Sequence, residues 1–350
     1  MYREIIINSR PDLVKVAVLE DGQLSELFIE KVEETRLTGN IYKGKVAIVL
    51  PGMQAAFVNT GIGRNTFLYV DDVLPRMDGI ETDEEQKRTT VSIKNVLKTG
   101  QEILVQISKE PSGSKGARVT RAISLPGRFV VLMPSVDFVG VSRRVGDADE
   151  RERLKKIAKK FKPESMGLIV RTVAEGRTED DINADIQELA LLWKKIEQKA
   201  SQVSSPALLH RDLELVPRTI RDLVNDETAA IVADTKEAHE EIMAYLGDVA
   251  PHLMGKVSLF QPSNPIFEHY NVEKQIDKAL RRKVWLKCGG YIVIDKTEAL
   301  TSIDVNTGKF VGSSTLEDTV LKTNLEATRE IAKQLRLRSI GGIIIIDFID

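Results

Sequence analysis

Cysteine is nearly absent from this chain of 350 residues: Cys288 stands alone. One thiol excludes an internal disulfide framework and any multi-cysteine zinc site within the chain. Long apolar runs are missing as well. The stretch "GGIIIIDFI" at 341–349 falls far short of the roughly 20 residues that cross a bilayer. The start, "MYREIIINSRPD", lacks the basic opening, long apolar stretch and small-residue cleavage site of a secretory leader, so a cytoplasmic protein is the simplest expectation. An excess of one charge is lacking too. Fifty Lys and Arg against 52 Asp and Glu give a net charge of −2, which carries no global signature of a nucleic-acid binder. No low-complexity tract is present, and the length favours two to four domains over a single core.

What is present is local. Residues 109–128 hold Lys109, Lys115, Arg118, Arg121 and Arg128 against Glu110 alone, and residues 278–287 hold Lys278, Arg281, Arg282, Lys283 and Lys287 with no acid. Such runs are usually solvated faces, so they point only weakly to a polyanionic partner.

Residues 1–36 alternate as strands, with Asp21-Gly22 as a hairpin turn. From 37 to 121 short strands and glycine turns suit a small barrel of OB type; "VSIKNVLKTGQEILVQISK" reads as strand, turn and strand. Phe57 and Phe67 are candidates for exposed aromatics there, although a phenylalanine is more often core. Residues 122–216 read as a mixed α/β unit whose long helix starts at Thr178 as N-cap, with Ile182, Ile186, Leu189 and Leu192/Trp193 at helical spacing. Residues 217–280 alternate helix and strand again.

The last segment is the most informative. "GGYIVIDKTEALTSID" reads as two strands around the turn "DKTE", with Asp304 ending the second, followed by Val305, Asn306 and the loop Thr307-Gly308-Lys309. A helix follows with Ser314-x-x-Glu317 as a capping box and Leu316, Val320, Ala327, Ile331 and Leu335 on one face. "IIIIDFID" is then a strand closed by Asp347 and Asp350. Strand, helix and strand of this length favour parallel neighbours, which would bring Asp304 and Asp347 to the same sheet end. Two carboxylates with Asn306 alongside suit a hard divalent ion such as magnesium, which keeps most of its waters for substrate phosphates. The competing reading keeps Asp304 and Asp347 as strand-end turn residues and Asn306 as a loop cap. Spacing alone leaves the two even.

"GGYIVIDKTEALTSIDVNTGKFVG" and "NLEATREIAKQLRLRSIGGIIIIDFID" closely resemble the catalytic core of the bacterial ribonuclease E/G family, and "VNTGKF" is more similar to its G branch than to its E branch. "GNIYKGKV" and "QAAFVNTG" resemble the family's OB-type, ribosomal-protein-like RNA-binding barrel. "KGARVTRAISLPGRFVVLMP" and "GLIVRT" resemble its sensor for the RNA 5′ end. The resemblance implies an α+β and α/β multidomain fold. An RNase H-like fold in two parts (1–36 and 217–280) is interrupted by the barrel (37–121) and the 5′-sensor (122–216). A partial DNase I-like catalytic domain follows (281–350).

It also implies magnesium-dependent endonucleolytic cleavage of single-stranded, A/U-rich RNA, with 5′-phosphate and 3′-hydroxyl products and stimulation by a 5′-monophosphate. The RNAs expected are rRNA and tRNA precursors and mRNA. Asp304 and Asp347 match the family's metal-binding aspartates, and Asn306 the asparagine that holds the first of them. Gly127, Val131, Arg171 and Thr172 match the 5′-phosphate pocket. Phe57, Phe67 and Lys115 match barrel residues that contact RNA. Asp234 in "IVADT" takes a structural reading, because the family's RNase H-like fold is not catalytic.

In the family pattern the catalytic domain continues past "DFID" into a zinc-binding cysteine pair and a dimerisation domain. This chain has no such pair, so a truncated form is expected, with homo-oligomerisation a property of the longer proteins. An RNA-binding fragment without cleavage activity is therefore the alternative.

Overall fold

The computed structural model describes residues 2–32, 36–73, 92–111, 115–261, 264–308 and 315–350. The chain forms two compact units, residues 1–34 with 215–350 and residues 35–214.

In the first unit, Arg3–Ser9, Leu13–Glu20 and Gln23–Lys31 form an antiparallel meander. Asp21 and Gly22, both at positive φ (50° and 73°), make the two-residue turn that the Asp-Gly pair signals. Thr228–Ala233 and then Val257–Leu259 add in parallel on the other edge of Arg3–Ser9. The run Ile5-Ile6-Ile7 is unbroken because this sheet is buried on both faces. Ile5 and Ile7 pack with Leu215, Ile220 and Ile242 from the helices Leu215–Leu223 and Lys236–Val249, and Ile6 packs with Phe267 and Val272 on the opposite side.

A second sheet in this unit runs Lys283–Trp285, Tyr291–Lys296, Leu300–Asn306, Ile343–Asp347. The first three strands are antiparallel and the last is parallel to its neighbour. The crossover helix Leu316–Leu337 covers one face, with Ala327 and Ile331 against Ile292, Ile303 and Val305. Its N-cap is Thr315, whose hydroxyl accepts from the Asp318 N–H at 3.1 Å. The cap therefore falls one residue later than the expected capping box; Ser314 and the side chain of Leu316 lie outside the described residues. Thr319 and Thr323 extend the buried stripe where an apolar period alone does not reach.

In the second unit five strands close on themselves: Ile41–Leu50, Ala55–Asn59, Thr66–Tyr69, Arg118–Thr120 and Glu102–Lys109, the last pairing back with the first. This mixed α+β arrangement with a five-stranded barrel is consistent with an OB-like domain. Two features differ from the pattern-based expectation. Residues Ile93–Val96 form a helical turn instead of a strand, with the Ile93 N–H held by Gln54 Oε1 at 3.0 Å. The strand Ala207–His210 joins the barrel strand Ile41–Leu50 from about 160 residues away in sequence.

The rest of the second unit is a four-stranded sheet, Val139–Val141, Gly167–Val170, Val130–Met133 and Leu125–Pro126, packed on the helices Ala148–Phe161 and Glu179–Gln202. Thr178 caps the second helix in a reciprocal box with Asp181, and Ile182, Ile186, Leu189 and Trp193 form its buried stripe.

Candidate functional site

The parallel pairing of Leu300–Asn306 with Ile343–Asp347 sets Asp304 directly opposite Asp347. Residues in register on neighbouring strands share a face. Thr301, Ile303 and Val305 point to the helix, so Ser302, Asp304 and Asn306 point away from it, and Asp304 and Asp347 are both exposed. Asn306 is two residues along the strand and therefore on the same face. Its Nδ2 donates to Asp304 Oδ2 at 2.7 Å. All three sequence-predicted residues of this set are brought together.

The donors are oxygens only, two carboxylates and an amide. Among the described residues no group of three or more His, Cys, Asp or Glu is arranged so that it could hold a metal ion. Two exposed carboxylates on one sheet face fit a hard cation that retains several waters, whereas a closed nitrogen and sulfur cage is not offered.

Two supports of this face escape a reading by motif. Asn324, inside the crossover helix, donates from Nδ2 to Ile349 O at 2.8 Å and accepts at Oδ1 from Ile349 N at 3.2 Å. Both backbone polar groups of Ile349, two residues past Asp347, are thus clamped. Glu326, two residues further along the helix, accepts the backbone N–H groups of Lys287 and Cys288 and ties the turn between the first two strands to the helix.

In the second unit, Gly127, Val131, Arg171 and Thr172 are also neighbours. Val131 pairs across the sheet with Ile169, two residues before Arg171. Arg171 Nη1 donates to Gly127 O at 2.7 Å, and the Arg171 N–H donates to Phe129 O at 2.8 Å. Thr172 opens the short 3-10 turn Thr172–Ala174 and is half-buried.

The turn that carries Gly127 is folded around a residue which the pattern does not single out. Asp185 accepts the N–H groups of Arg128 (3.1 Å), Phe129 (2.8 Å) and Val130 (2.9 Å). A Cβ on Gly127 would lie 2.5 Å from Asp185 Oδ1, so only glycine admits this approach. The Gly127 N–H itself donates to Val130 O at 2.8 Å. Burial pushes the Asp185 carboxyl above its ordinary range, against the pull of the three N–H donors and of Arg171.

Phe57 and Phe67 face each other across the barrel strands, ring centroids 5.9 Å apart in an edge-to-face pair. Their neighbours Ala56, Val58 and Leu68 fill the barrel core, while both phenylalanines stay half-buried on the outer side. Lys115 is exposed, and the Phe67 N–H donates to Ala117 O at 2.8 Å, which holds that segment alongside. Asp234 contrasts with Asp304: it accepts from Asn8 Nδ2 at 2.5 Å and from the Ser9 N–H at 2.9 Å, a strand-end carboxylate taken up by the fold.

Comparison with known proteins gives one consistent result. A family model described as "Ribonuclease E/G family" matches residues 124–350. Ribonuclease G of Salmonella typhimurium (strain SL1344) is 42% identical over 350 residues, covering 100% of this chain and 72% of the relative. Ribonuclease G of Escherichia coli (strain K12) matches with the same identity and coverage. Ribonuclease E of Nostoc sp. (strain PCC 7120) is 42% identical over 356 residues, covering 100% of this chain and 50% of its own length.

Proposed function

The chain belongs to the ribonuclease E/G family, and on that premise we propose that it is an endoribonuclease that cuts single-stranded, A/U-rich RNA with magnesium held at Asp304 and Asp347. The observation that carries this reading is the exposed cross-strand pair Asp304 and Asp347, with Asn306 bonded to the first. When bound, magnesium supplies a nucleophilic water of lowered pKa and offsets charge developing on the phosphate. The protein's own part is positioning. Asn306 fixes one oxygen of Asp304, and the Asn324 clamp on Ile349 fixes the backbone beside Asp347. Second contacts of this kind set the orientation of ligating groups. The products are a 5′-phosphate and a 3′-hydroxyl.

The barrel and the sensor supply recognition. Phe57 and Phe67, on the outer barrel wall with Lys115, offer stacking and charge to unpaired bases. Arg171 and Thr172, with the turn at Gly127 and Val131, receive a 5′-monophosphate. The sheet order Gln23–Lys31, Leu13–Glu20, Arg3–Ser9, Thr228–Ala233, Val257–Leu259, antiparallel then parallel, supports the RNase H-like assignment of residues 1–36 and 217–280. The barrel (37–121), sensor (122–216) and DNase I-like region (281–350) complete the scheme. Among the described residues no helix is long and apolar enough to cross a membrane. A cytoplasmic role in rRNA and tRNA processing and mRNA decay follows from the family.

The test is direct: a 5′-monophosphorylated, A/U-rich oligoribonucleotide is incubated with the protein and magnesium, and a parallel reaction contains a chelator. Cuts with 5′-phosphate ends that vanish with the chelator are expected. Tight RNA binding with no metal-dependent cut would replace this reading with that of an RNA-binding module.

A further inference from the structure

The basic run at 278–287 finds no place in the scheme above, yet part of it lies on the same sheet face as the acid pair. Lys283, Val293, Asp304 and Asp347 form one row across the four strands; Trp285, Tyr291 and Asn306 form the next. Trp285 is 57% exposed, an unusual degree for an indole. It meets Tyr291 edge to face, with centroids 5.3 Å apart. The Lys283 ammonium lies 4.2 Å from the Trp285 centroid and 3.4 Å from that of Tyr291. Neighbouring strands are about 4.8 Å apart, so Tyr291 stands one strand from Asn306 and Trp285 about 10 Å away.

A cross-strand aromatic pair also stabilises a sheet, but that role does not call for an exposed indole at a charged edge. Arg282 is engaged by Asp295 at 2.5 and 2.6 Å, while Arg281, Lys283 and Lys287 leave this edge cationic. An exposed π-face, a cation behind it and continuity with a phosphodiester-cleaving pair match the chemistry of single-stranded nucleic acid. We infer that Trp285 and Tyr291, backed by Lys283, form a stacking subsite for an unpaired base close to the scissile phosphate. This rests on the reading of Asp304 and Asp347 as the cleavage centre.

The chain contains two tryptophans, and Trp193 is buried at 7% exposure, so solvent-exposed emission reports Trp285. The experiment titrates a 5′-monophosphorylated, A/U-rich oligoribonucleotide into protein carrying Asp304→Asn, which keeps the RNA intact, and follows both tryptophan emission and anisotropy of labelled RNA. Binding should quench the exposed emission. Trp285→Ala should weaken binding about five- to a hundred-fold, and Trp285→Phe should restore most of it. One abasic nucleotide beside the cleavage position should cost the parent a similar factor and cost Trp285→Ala little more, as expected of a shared contact.

RNA binding with unchanged Trp285 emission, or with unchanged affinity in Trp285→Ala, overturns the subsite and leaves the cleavage centre standing. Emission that changes with protein concentration and not with RNA overturns it in favour of a contact between copies of the chain. Absence of both binding and cleavage in the unsubstituted protein removes the functional reading itself.

Discussion

Asp304 and Asp185 lie in different units of the molecule, and their surroundings are opposite. Asp304 is exposed on a sheet face and accepts from the side chain of Asn306. Asp185 is wrapped by a turn that gives it three backbone N–H groups, with Arg171 close enough to act on its charge. A carboxylate whose lone pairs are occupied by the fold serves as a staple, whereas one that is open and paired with a second carboxylate is available to a cation. Residue type does not separate the two; the donors do. Asp234 sides with Asp185, since it ends a strand as Asp304 nearly does, yet Asn8 and Ser9 take up its oxygens.

The largest expected effect breaks the open side of this contrast. Asp304→Asn or Asp347→Asn should reduce cleavage about a thousandfold or more, because a lost ligand removes several kcal/mol of transition-state stabilisation. RNA affinity should stay within a few fold and the unfolding midpoint close to the parent. Turnover near normal in either variant would remove the cleavage centre from this sheet.

The closed side responds in the other way. Asp185→Ala leaves three N–H donors without their acceptor, and the half-buried turn should lose about 3 kcal/mol, the low end for three groups. Asp185→Asn keeps one acceptor oxygen and turns an NH2 toward the remaining donor, so a loss of about 1–3 kcal/mol is expected. Urea unfolding followed by far-ultraviolet circular dichroism measures both. An unchanged midpoint in Asp185→Ala would mean that the turn holds without its carboxylate.

This asymmetry also explains what could be read from sequence. The Asp21-Gly22 hairpin, the Thr178 cap and the crossover between Asp304 and Asp347 are signalled within a few residues or by a period, so they were legible. The Asp304 and Asp347 pairing needed only the rule that a strand, helix and strand run parallel. Asp185 was not legible. Within "EDDINADIQE" it is one acid among several in a helix, and its donors lie 55 to 57 residues upstream. The same holds for Ala207–His210, whose partner strand starts at Ile41, and for Lys283, Trp285 and Tyr291, which meet only once an antiparallel register is known. Ser314 and Thr315 are both good caps by type, and only the fold selects Thr315.

A smaller effect tests whether the Asp185 turn serves recognition. Arg171 bonds the Gly127 carbonyl that the turn presents, so it belongs to the closed region and also to the proposed phosphate pocket. Arg171→Ala should slow cleavage of a 5′-monophosphorylated substrate about ten- to a hundred-fold, the worth of a charge-assisted pair at low substrate, and leave a 5′-hydroxyl substrate nearly unchanged. Equal slowing of both would assign Arg171 to support of the turn alone.

The smallest expected change concerns Asp234, and it sharpens the contrast most because its position imitates Asp304. Asp234 follows the strand Thr228–Ala233 and is half-buried, with Asn8 Nδ2 on one oxygen and the Ser9 N–H on the other. In Asp234→Asn one oxygen remains to accept, and the new NH2 faces the other donor. The Asn8 amide can turn to present its own oxygen, and the site is open enough for water to reach the orphaned group. One hydrogen bond of ordinary strength is therefore at stake, about 0.5–1.5 kcal/mol in the unfolding free energy. Cleavage should stay within twofold of the parent, since both Asp234 oxygens are already taken up by Asn8 and Ser9. If Asp234→Asn instead lost cleavage as Asp304→Asn is expected to, with folding intact, the five-stranded sheet would be catalytic and the division between open and occupied carboxylates would fail.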